Sequence, residues 1–440
     1  MGYKRPSLQR VLFPILFFLV GVFAGTWLTG NSSLSSAWKT FFKLQLDGPF
    51  PSDNTQGRER KQSSQKQNNA PELDDAIASL PYLSGYHPAT GKSSVIQHNR
   101  EEAFQGLNFW ISGHAPEAYL MDMDGEVLHR WKKSWQELWP SRPPLFKDDF
   151  WSQARPLENG NLIALFQYKG IFKLNSESQV IWKNDIRAHH SIYIMDNGNI
   201  VTLTRRSTEG RGQIKTTSVI SEDYIAVLTP EGKLIKEVPI IDLILNSDYA
   251  PLLKDMKKNG DVLHANLARP LQGRIQDSCP PFKDGRLLLS LRNLNLIGVV
   301  DLENETLNWA HTSMWRVQHH PSITPQGTML LFDNAGQKGR SRVLEIDPCS
   351  MEVKWSYRDD VHGRLYSAMV GAVQRLPNGN TLILESDRGR ALEVTPEHEI
   401  VWEFLNPHRA GKDNNLIATL FQMVRLEPGF GECGRNGCFQ

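Results

Sequence analysis

The fold is decided by a strand-and-turn repeat that is clearest over residues 376–402, which read LPNGNTLILESDRGRALEVTPEHEIVW. An Asn-Gly turn leads into an apolar strand, a second strand follows, and the unit closes on Trp402. This order returns six times between residues 107 and 404, with a period of roughly 50 residues. The closing strands run from Glu126 to Trp131, Gln179 to Trp182, Lys233 to Val238, Thr306 to Trp309, Glu352 to Trp355 and Glu399 to Trp402.

The repeat predicts an all-β fold, a six-bladed β-propeller in which each blade buries its faces against its neighbours. Asn-Gly turns between alternating apolar and polar residues are the strongest short-range signal for hairpins. Residues 415–427 also have strand character and are expected to close the ring, whereas Arg205 to Glu222 reads as an inserted loop. The repeated Trp is expected to pack blade against blade. Function should then sit at the central channel, where the innermost strands begin.

The N-terminal segment predicts where the chain lies in the cell. Residues Val11 to Leu28 contain no charge, and Lys4, Arg5 and Arg10 precede them. An apolar run of this length just spans a bilayer, and cations on its N-terminal side keep that end in the cytoplasm. We therefore expect a single-pass membrane protein whose propeller is periplasmic, extracellular or luminal. A cleaved signal peptide is the competing interpretation, because Phe23-Ala-Gly resembles a small-residue cleavage site.

Four segments are predicted along the chain. They are a cytoplasmic tail and transmembrane anchor over residues 1–30, a juxtamembrane segment and flexible linker over 31–105, the propeller over 106–427, and a tail over 428–440. The linker is assigned from the stretch between Pro51 and Pro71, where Ser, Gln, Asn, Arg and Lys dominate. Such a composition cannot bury enough apolar surface to fold alone.

Composition argues against two classes of function. The 440 residues carry 49 Lys and Arg against 48 Asp and Glu, a formal net charge of +1, and a nucleic-acid partner normally needs a strongly basic face. The four cysteines are too few and too scattered for a disulfide scaffold, and no two CxxC motifs combine into a zinc site. Cys433 and Cys438 either bridge in an oxidising compartment or remain two inert thiols.

Histidine is concentrated where the blades open. His190 and His319 each stand seven residues before the turn of their blade, at Asn197 and Gln326, and His264 opens blade four before a longer insertion. The starts of the innermost strands converge on one mouth of a propeller channel, so three imidazoles should surround one cavity. Imidazoles that face a polar channel transfer protons, act as nucleophiles or bind a metal.

A metal site is the main alternative interpretation, because three histidines suit zinc or copper. No carboxylate or thiol accompanies them at the strand starts, and Arg292 lies on the strand that follows His264. A cation beside a metal is unfavourable, whereas a cation beside imidazoles suits an anion such as sulfate or phosphate. We therefore predict a substrate-binding Arg292 and neither metal nor cofactor. The adjacent His189 and His320 point to the opposite face of a regular strand and are secondary substrate-binding candidates.

Several of these segments resemble the bacterial arylsulfotransferase family. The motifs that carry the likeness are His189-His-Ser-Ile with Asp196-Asn-Gly-Asn, Leu263-His-Ala-Asn-Leu with Leu289-Ser-Leu-Arg-Asn-Leu-Asn, Gln318-His-His with Leu331-Phe-Asp-Asn, and Leu376-Pro-Asn-Gly-Asn-Thr-Leu-Ile. The likeness covers roughly residues 105 to 425 and is most specific in blades three to six. It implies a six-bladed propeller that moves a sulfuryl group from an aryl sulfate to a phenol through a sulfohistidine, without the nucleotide donor PAPS.

Carried over by motif, the resemblance implies a role for each channel residue. His319 becomes the candidate nucleophile, His264 a sulfate-binding or acid/base partner, and Arg292 the sulfate clamp, with His190 as a further catalytic candidate. Independent chemistry agrees, because a neutral imidazole accepts a sulfuryl group and cationic donors stabilise charge on its oxygens. Two other classes of function stay open: a non-catalytic binding or scaffolding propeller, and a quinoprotein-like or metal-dependent oxidoreductase.

Overall fold

The computed structural model describes residues 89, 91–145, 149–209, 219–271, 275, 279–334, 340–359, 365–368 and 370–431. The predicted transmembrane anchor, most of the predicted linker, and Cys433 and Cys438 lie outside these residues. Within the described ranges, no helix has the length and apolar character needed to cross a membrane.

Strands make up most of the regular structure. In chain order they begin with β1 (Ser94–His98), β2 (Leu107–Ser112), β3 (Glu117–Met121), β4 (Val127–Lys132), β5 (Gln153–Pro156), β6 (Leu162–Phe166), β7 (Gly170–Leu174), β8 (Val180–Asn184), β9 (Ala188–Ile194), β10 (Ile200–Thr208), β11 (Ile220–Leu228), β12 (Leu234–Pro239), β13 (Gly260–Asp261) and β14 (Ala265–Pro270). They continue with β15 (Leu287–Leu291), β16 (Leu296–Asp301), β17 (Thr306–His311), β18 (His319–Ile323), β19 (Met329–Asp333), β20 (Arg342–Ile346), β21 (Val353–Tyr357), β22 (Ala372–Arg375), β23 (Thr381–Glu385), β24 (Arg390–Val394), β25 (Ile400–Leu405), β26 (Arg409–Ala410), β27 (Leu416–Ile417) and β28 (Leu420–Leu426). The α-helices are α1 (Trp135–Leu138) and α2 (Ile240–Leu245), and 3₁₀ segments cover Ala250–Asp255, Pro280–Phe282, Arg292–Leu294, Ser386–Arg388 and Lys412–Asn414.

Six sheets of antiparallel strands form the blades, which confirms the predicted propeller. From the innermost strand outward, blade 1 is β28-β2-β3-β4, blade 2 is β5-β6-β7-β8, blade 3 is β9-β10-β11-β12, blade 4 is β14-β15-β16-β17, blade 5 is β18-β19-β20-β21, and blade 6 is β22-β23-β24-β25-β1. The innermost strands contact one another in the order β28, β5, β9, β14, β18, β22 and back to β28. Together they line one central channel.

The Asn-Gly turns fix where the strands of a blade reverse. Gly198 and Gly379 take φ values of 82° and 91°, in the left-handed region that glycine enters without steric strain. The apolar residues of the flanking strands then face the neighbouring blade. Between blades 3 and 4, for example, Val201 and Leu203 of β10 share one buried cluster with Leu289 of β15. The hydrophobic core is therefore distributed between the blades, as expected for a repeat whose units cannot bury their faces alone.

The ring is closed by both ends of the described chain. β28 pairs with β2 and supplies the innermost strand of blade 1, as the strand character of residues 415–427 predicts. β1 pairs with β25 and adds an outer strand to blade 6, although the sequence placed residues 31–105 outside the propeller. Arg425 of β28 joins the two blades, because it bonds Asn108 of blade 1 at 2.7 Å and pairs with Glu393 of blade 6 at 2.8 Å.

The recurring Trp holds consecutive blades together. Four indole N–H groups donate to a turn carbonyl of the next blade: Trp131 to Gly160 at 3.2 Å, Trp182 to Pro230 at 2.9 Å, Trp355 to Pro396 at 2.9 Å, and Trp402 to Met123 at 2.9 Å. This is the packing role expected from the sequence, since a buried Trp normally pairs its one donor.

Two features of blades 3 to 5 differ from the sequence interpretation. Of the stretch from Arg205 to Glu222, expected as a loop, the two ends instead belong to β10 and β11, which stay in register from Ile200–Leu228 out to Thr208–Ile220, and residues 210–218 between them lie outside the described residues. Cys279 and Cys349 form a disulfide with a Cα–Cα distance of 5.7 Å. Because Cys279 belongs to the blade 4 insertion and Cys349 to the β20–β21 turn, the bond joins blades 4 and 5. The cysteines that looked scattered in sequence thus meet across a blade boundary.

Candidate functional site

The central channel contains a cavity of about 400 Å³ that residues of all six innermost strands line. His190, His319 and His320 face this cavity, and Asn266 lines it just after His264. Blades 3 and 5 thus contribute the histidines, while Gln and Arg side chains of blades 1, 2 and 6 also line the wall. Histidines that are far apart in sequence are brought together at the start of these strands.

The local backbone of the three histidine-bearing strands is irregular. β9, β14 and β18 each lose register against the neighbouring strand, at the segments that carry His190, Asn266 and His320. His190, His264 and His320 have φ values of 54°, 49° and 51°, in the left-handed region that costs a non-glycine residue on the order of 1 kcal/mol or more. A bulge turns consecutive side chains toward the channel instead of alternating faces.

His319 is held as a neutral imidazole with a defined tautomer. Its Nδ1 lies 2.9 Å from the carbonyl oxygen of Val317 and 2.7 Å from Oδ1 of Asn334. Since a backbone carbonyl only accepts, Nδ1 carries the hydrogen and Nε2 keeps its lone pair. Burial lowers the pKa of His319 to about 3, although the Asn334 bond opposes the shift, and the nearby charges of Arg292 and His264 lower it further. His319 is therefore uncharged at neutral pH, with the lone pair of Nε2 unprotonated.

Asn334 is a residue that sequence reasoning left without a role. Its Nδ2 donates to the carbonyl oxygens of Ser367 and Val370, both at 2.9 Å, so its Oδ1 must face His319. The signal was present in the Leu331-Phe-Asp-Asn motif. What the motif does not show is that the last residue of that run lies beside the imidazole of the preceding strand.

His264 is paired with a carboxylate. Its Nδ1 lies 2.5 Å from Oδ2 of Asp261, and Arg205 in turn contacts Asp261 at 3.0 Å. Burial alone would raise the pKa of Asp261, but the hydrogen bond and charge of His264, with the charge of Arg205, hold it below its ordinary value. The carboxylate therefore stays ionised beside the imidazole of His264. The expectation that no carboxylate accompanies the histidines was wrong, because Asp261 precedes the strand by a short turn.

His190 and His189 form a buried pair. Their Nδ1 atoms are 2.8 Å apart, so one ring donates and the other accepts, and the rings of His190 and His264 lie 5.2 Å apart in an edge-on arrangement. Burial, followed by the charges of His189, His264 and His319, lowers the pKa of His190 well below its ordinary value. Asp223 lies 3.4 Å from Nε2 of His189. His189 therefore orients the imidazole of His190 from a position beneath the surface of the channel.

Arg292 lies beside His264, although neither residue is among those that line the 400 Å³ cavity. It begins the 3₁₀ segment after β15, and its backbone N–H donates to the carbonyl oxygen of His264 at 3.0 Å. Its positive charge contributes to the lowered pKa of His319. The structure thus brings His190, His264, His319 and Arg292 together.

His320 differs from its predicted orientation. A regular strand would point it away from the channel, whereas the bulge in β18 lets both His319 and His320 line the cavity. Its Nδ1 donates to the carbonyl oxygen of Val373 at 3.1 Å, and burial with the charge of Arg269 lowers its pKa to about 4. His320 faces the part of the channel on the Arg269 side.

Within the described residues, the group with metal-ligand spacing lies outside the channel. Ligand atoms of His114, Glu117 and His408 all fall within 4.8 Å of one another. The carboxylate of Glu117 already bonds His114 at 2.6 Å and pairs with Arg130 at 2.5 Å. A cation at this position would share the carboxylate of Glu117 with the guanidinium of Arg130.

Taken together, the fold and the channel define a β-propeller with neutral, buried imidazoles beside an arginine, a site suited to an anionic substrate. The arylsulfotransferase (ASST) family model matches residues 153–407, more than half of the chain. The chain therefore belongs to the arylsulfotransferase family, which indicates a sulfotransferase-like enzyme at the level of the family.

Other comparisons add little beyond the fold. No curated protein matches the chain. Similar solved structures include a protein of unknown function from Bacteroides caccae (11% identity, 73% of this chain and 100% of that one, TM-score 0.45), a functionally unknown protein from Desulfotomaculum acetoxidans (11%, 73% and 99%, 0.41) and a virginiamycin B lyase from Staphylococcus aureus (11%, 58% and 69%, 0.35). At these TM-scores the likeness carries no argument.

Proposed function

We propose that the chain transfers a sulfuryl group from an aryl sulfate to a phenol through a sulfohistidine at Nε2 of His319. The observation that carries the proposal is the state of that imidazole. Val317 and Asn334 hold the hydrogen on Nδ1, and burial keeps the ring neutral, so that a lone pair on Nε2 is available in the channel.

In the first half-reaction, Nε2 of His319 forms a bond to sulfur while the bond from sulfur to the aryl oxygen breaks. The electron pair of that bond leaves on the phenolate. His264, whose Nδ1 contacts Asp261, gives the phenolate a proton, and Arg292 compensates charge on the sulfuryl oxygens. In the second half-reaction, His264 takes the proton of the acceptor phenol, whose oxygen then attacks sulfur and frees His319. Donor and acceptor meet the same nucleophile in turn, which predicts ping-pong kinetics.

Intact-protein mass spectrometry after incubation with 4-nitrophenyl sulfate alone tests this step. We expect a gain of one sulfuryl group in the wild type and none in His319→Ala, whose turnover with phenol should fall by roughly a thousandfold or more. The exposed His398→Ala is the matched control and should label normally. Equal labelling of His319→Ala would move the nucleophile to another residue. The absence of both labelling and turnover in the wild type would favour a binding propeller.

We further propose that the propeller is extracytoplasmic and tethered through its N-terminal segment. The disulfide between Cys279 and Cys349 supports this, because such bonds persist in oxidising compartments. The cations before the uncharged stretch of residues 11–28 support the same orientation. Protease added to intact cells should remove the propeller, and full protection of the propeller in cells with an accessible membrane would contradict the placement.

A further inference from the structure

Beyond the histidines, the channel contains two arginines that no protein group neutralises. Arg155 of β5 and Arg269 of β14 both line the 400 Å³ cavity. Neither guanidinium forms a hydrogen bond or an ion pair with a described residue. Other arginines near the channel differ, since Arg205 pairs with Asp223 and Arg375 pairs with Glu345. A channel that leaves two adjacent cations without a counter-charge is arranged for an anion from solution.

The two guanidinium groups are close to each other and to Tyr193. Cζ of Arg269 lies 5.2 Å from the ring centroid of Tyr193. Desolvation by the surrounding protein lowers the pKa of Arg155, and the charge of Arg269 lowers it further, which places the two cations near one another. Arg155 is nonetheless exposed to the solvent of the channel. Both groups are therefore accessible to a ligand in the cavity.

The walls around this pair include apolar side chains and, among the described residues, no acidic one. Arg155, Tyr193 and Arg269 also line a smaller adjoining cavity of about 90 Å³, together with Leu271, Phe282 and Ile323. No described residue that lines either cavity is an Asp or a Glu. An anion attached to an apolar body matches such a wall better than a small hydrated ion does.

The distance between the two arginines and the histidines sets the length of a ligand that reaches both. Asn266 lies at about the same height along the channel as His319, because its Nδ2 donates to the carbonyl oxygen of the preceding Gln318 at 2.8 Å. Arg269 follows three residues later on β14, which at the rise of an extended strand is about 10 Å along the channel. A phenol with an acidic group on a short chain opposite its hydroxyl spans such a separation.

We propose that Arg155 and Arg269 form an anion subsite that binds a carboxylate at the far end of the aryl ligand. The preferred substrates are then phenols and aryl sulfates that carry a second acidic group, an assignment that rests on the proposed sulfuryl transfer. The planar guanidinium forks bind the carboxylate while the aromatic ring lies along Tyr193 and the apolar wall.

Calorimetric titration of the purified protein tests the subsite without any chemistry. The probes are 3-(4-hydroxyphenyl)propanoate and its uncharged amide, which differ only in the acidic group. We expect the acid to bind at least tenfold more tightly than the amide. This preference should disappear in the Arg155→Gln, Arg269→Gln double variant and weaken in Arg155→Gln alone. The surface variant Arg142→Gln, which loses only an exposed pair with Asp185, should keep the preference.

Arg155→Gln removes a side chain without a described partner, so its unfolding temperature should match the wild type. Equal binding of acid and amide by the wild type would overturn the subsite, and so would a preference that survives in both arginine variants. The two proposals fail separately. Labelling of His319 without an acid preference removes the subsite alone, whereas an acid preference without labelling keeps the subsite and removes the sulfuryl transfer.

Discussion

Blades 3 to 5 and blades 2 and 6 build the same channel with different innermost strands. β9, β14 and β18 break register at the residues that line the site, whereas β5 and β22 pair with their neighbours without a shift. The irregular strands carry the histidines, and three of those histidines have positive φ. The regular strands carry no histidine; they line the cavity with Gln153 and Arg155 in blade 2 and with Gln374 and Arg375 in blade 6.

The difference shows how a repeat acquires a site without losing its fold. A bulge adds one channel-facing residue to the innermost strand while the two middle strands of each of these blades stay in register with each other. The cost is backbone strain at His190, His264 and His320, which the surrounding packing must offset. A site built on three consecutive blades also needs those blades to keep their relative positions.

The largest expected effect concerns that relative position. The Cys279–Cys349 disulfide joins blades 4 and 5 across a sequence separation of 70 residues. In the chain-entropy model, a bond closing such a loop contributes roughly 4 kcal/mol. The Cys279→Ser, Cys349→Ser double variant should lose about that much unfolding free energy in urea titrations. An unchanged midpoint would show that packing between these blades suffices without the bond.

The second prediction tests the positioning of His319. Asn334→Ala removes the acceptor at Nδ1, so we expect sulfuryl labelling and turnover to slow by about tenfold to hundredfold. Asn406→Ala is the matched control, because Asn406 is also buried and bonds a backbone carbonyl, that of Ala418, away from the channel. If the two variants lose stability equally and only Asn334→Ala loses rate, the role is positional. An unchanged rate in Asn334→Ala would contradict it.

Sequence patterns predicted the repeated part of the molecule better than the irregular part. Asn-Gly turns and the closing Trp gave six blades, and alignment on those turns brought His190 and His319 to equivalent positions. The partners of the histidines were missed because they come from other strands or turns, as Asp261, Asp223 and Asn334 show. Register breaks leave no periodic signal, so the orientation of His320 could not be read from alternation.

The third prediction concerns Gly371, a channel-lining position of blade 6 that has no side chain. Aligned on its turn at Asn378, Gly371 occupies the position that carries His190 and His319 in blades 3 and 5. A Cβ at Gly371 would lie 2.5 Å from Cδ1 of the buried Phe332. Gly371→Ala should therefore cost about 1–3 kcal/mol of unfolding free energy.

Gly91→Ala is the control for that substitution, since a Cβ there meets no atom within 4 Å. Equal stability of the two variants would mean that blade 6 tolerates a side chain at the channel. Packing against Phe332 would then not explain why blade 6 has a glycine where blades 3 and 5 have a histidine.

The last prediction is a pH dependence that the buried histidines of the irregular strands should produce. Burial lowers the pKa of His319 to about 3 and of His320 to about 4, whereas an unfolded histidine titrates near 6.5. Below pH 6.5 the unfolded chain binds protons that the folded chain does not, so stability is complete above that pH and falls as the pH drops toward 4. Each histidine should contribute up to about 1.4 kcal/mol per pH unit in this window.

His320→Asn keeps a donor for Val373 and tolerates the left-handed backbone, so it should reduce the slope of unfolding free energy between pH 6.5 and 4.5. The exposed His398→Asn should leave that slope unchanged, and an equal slope in both variants would show that His320 is protonated in the folded chain.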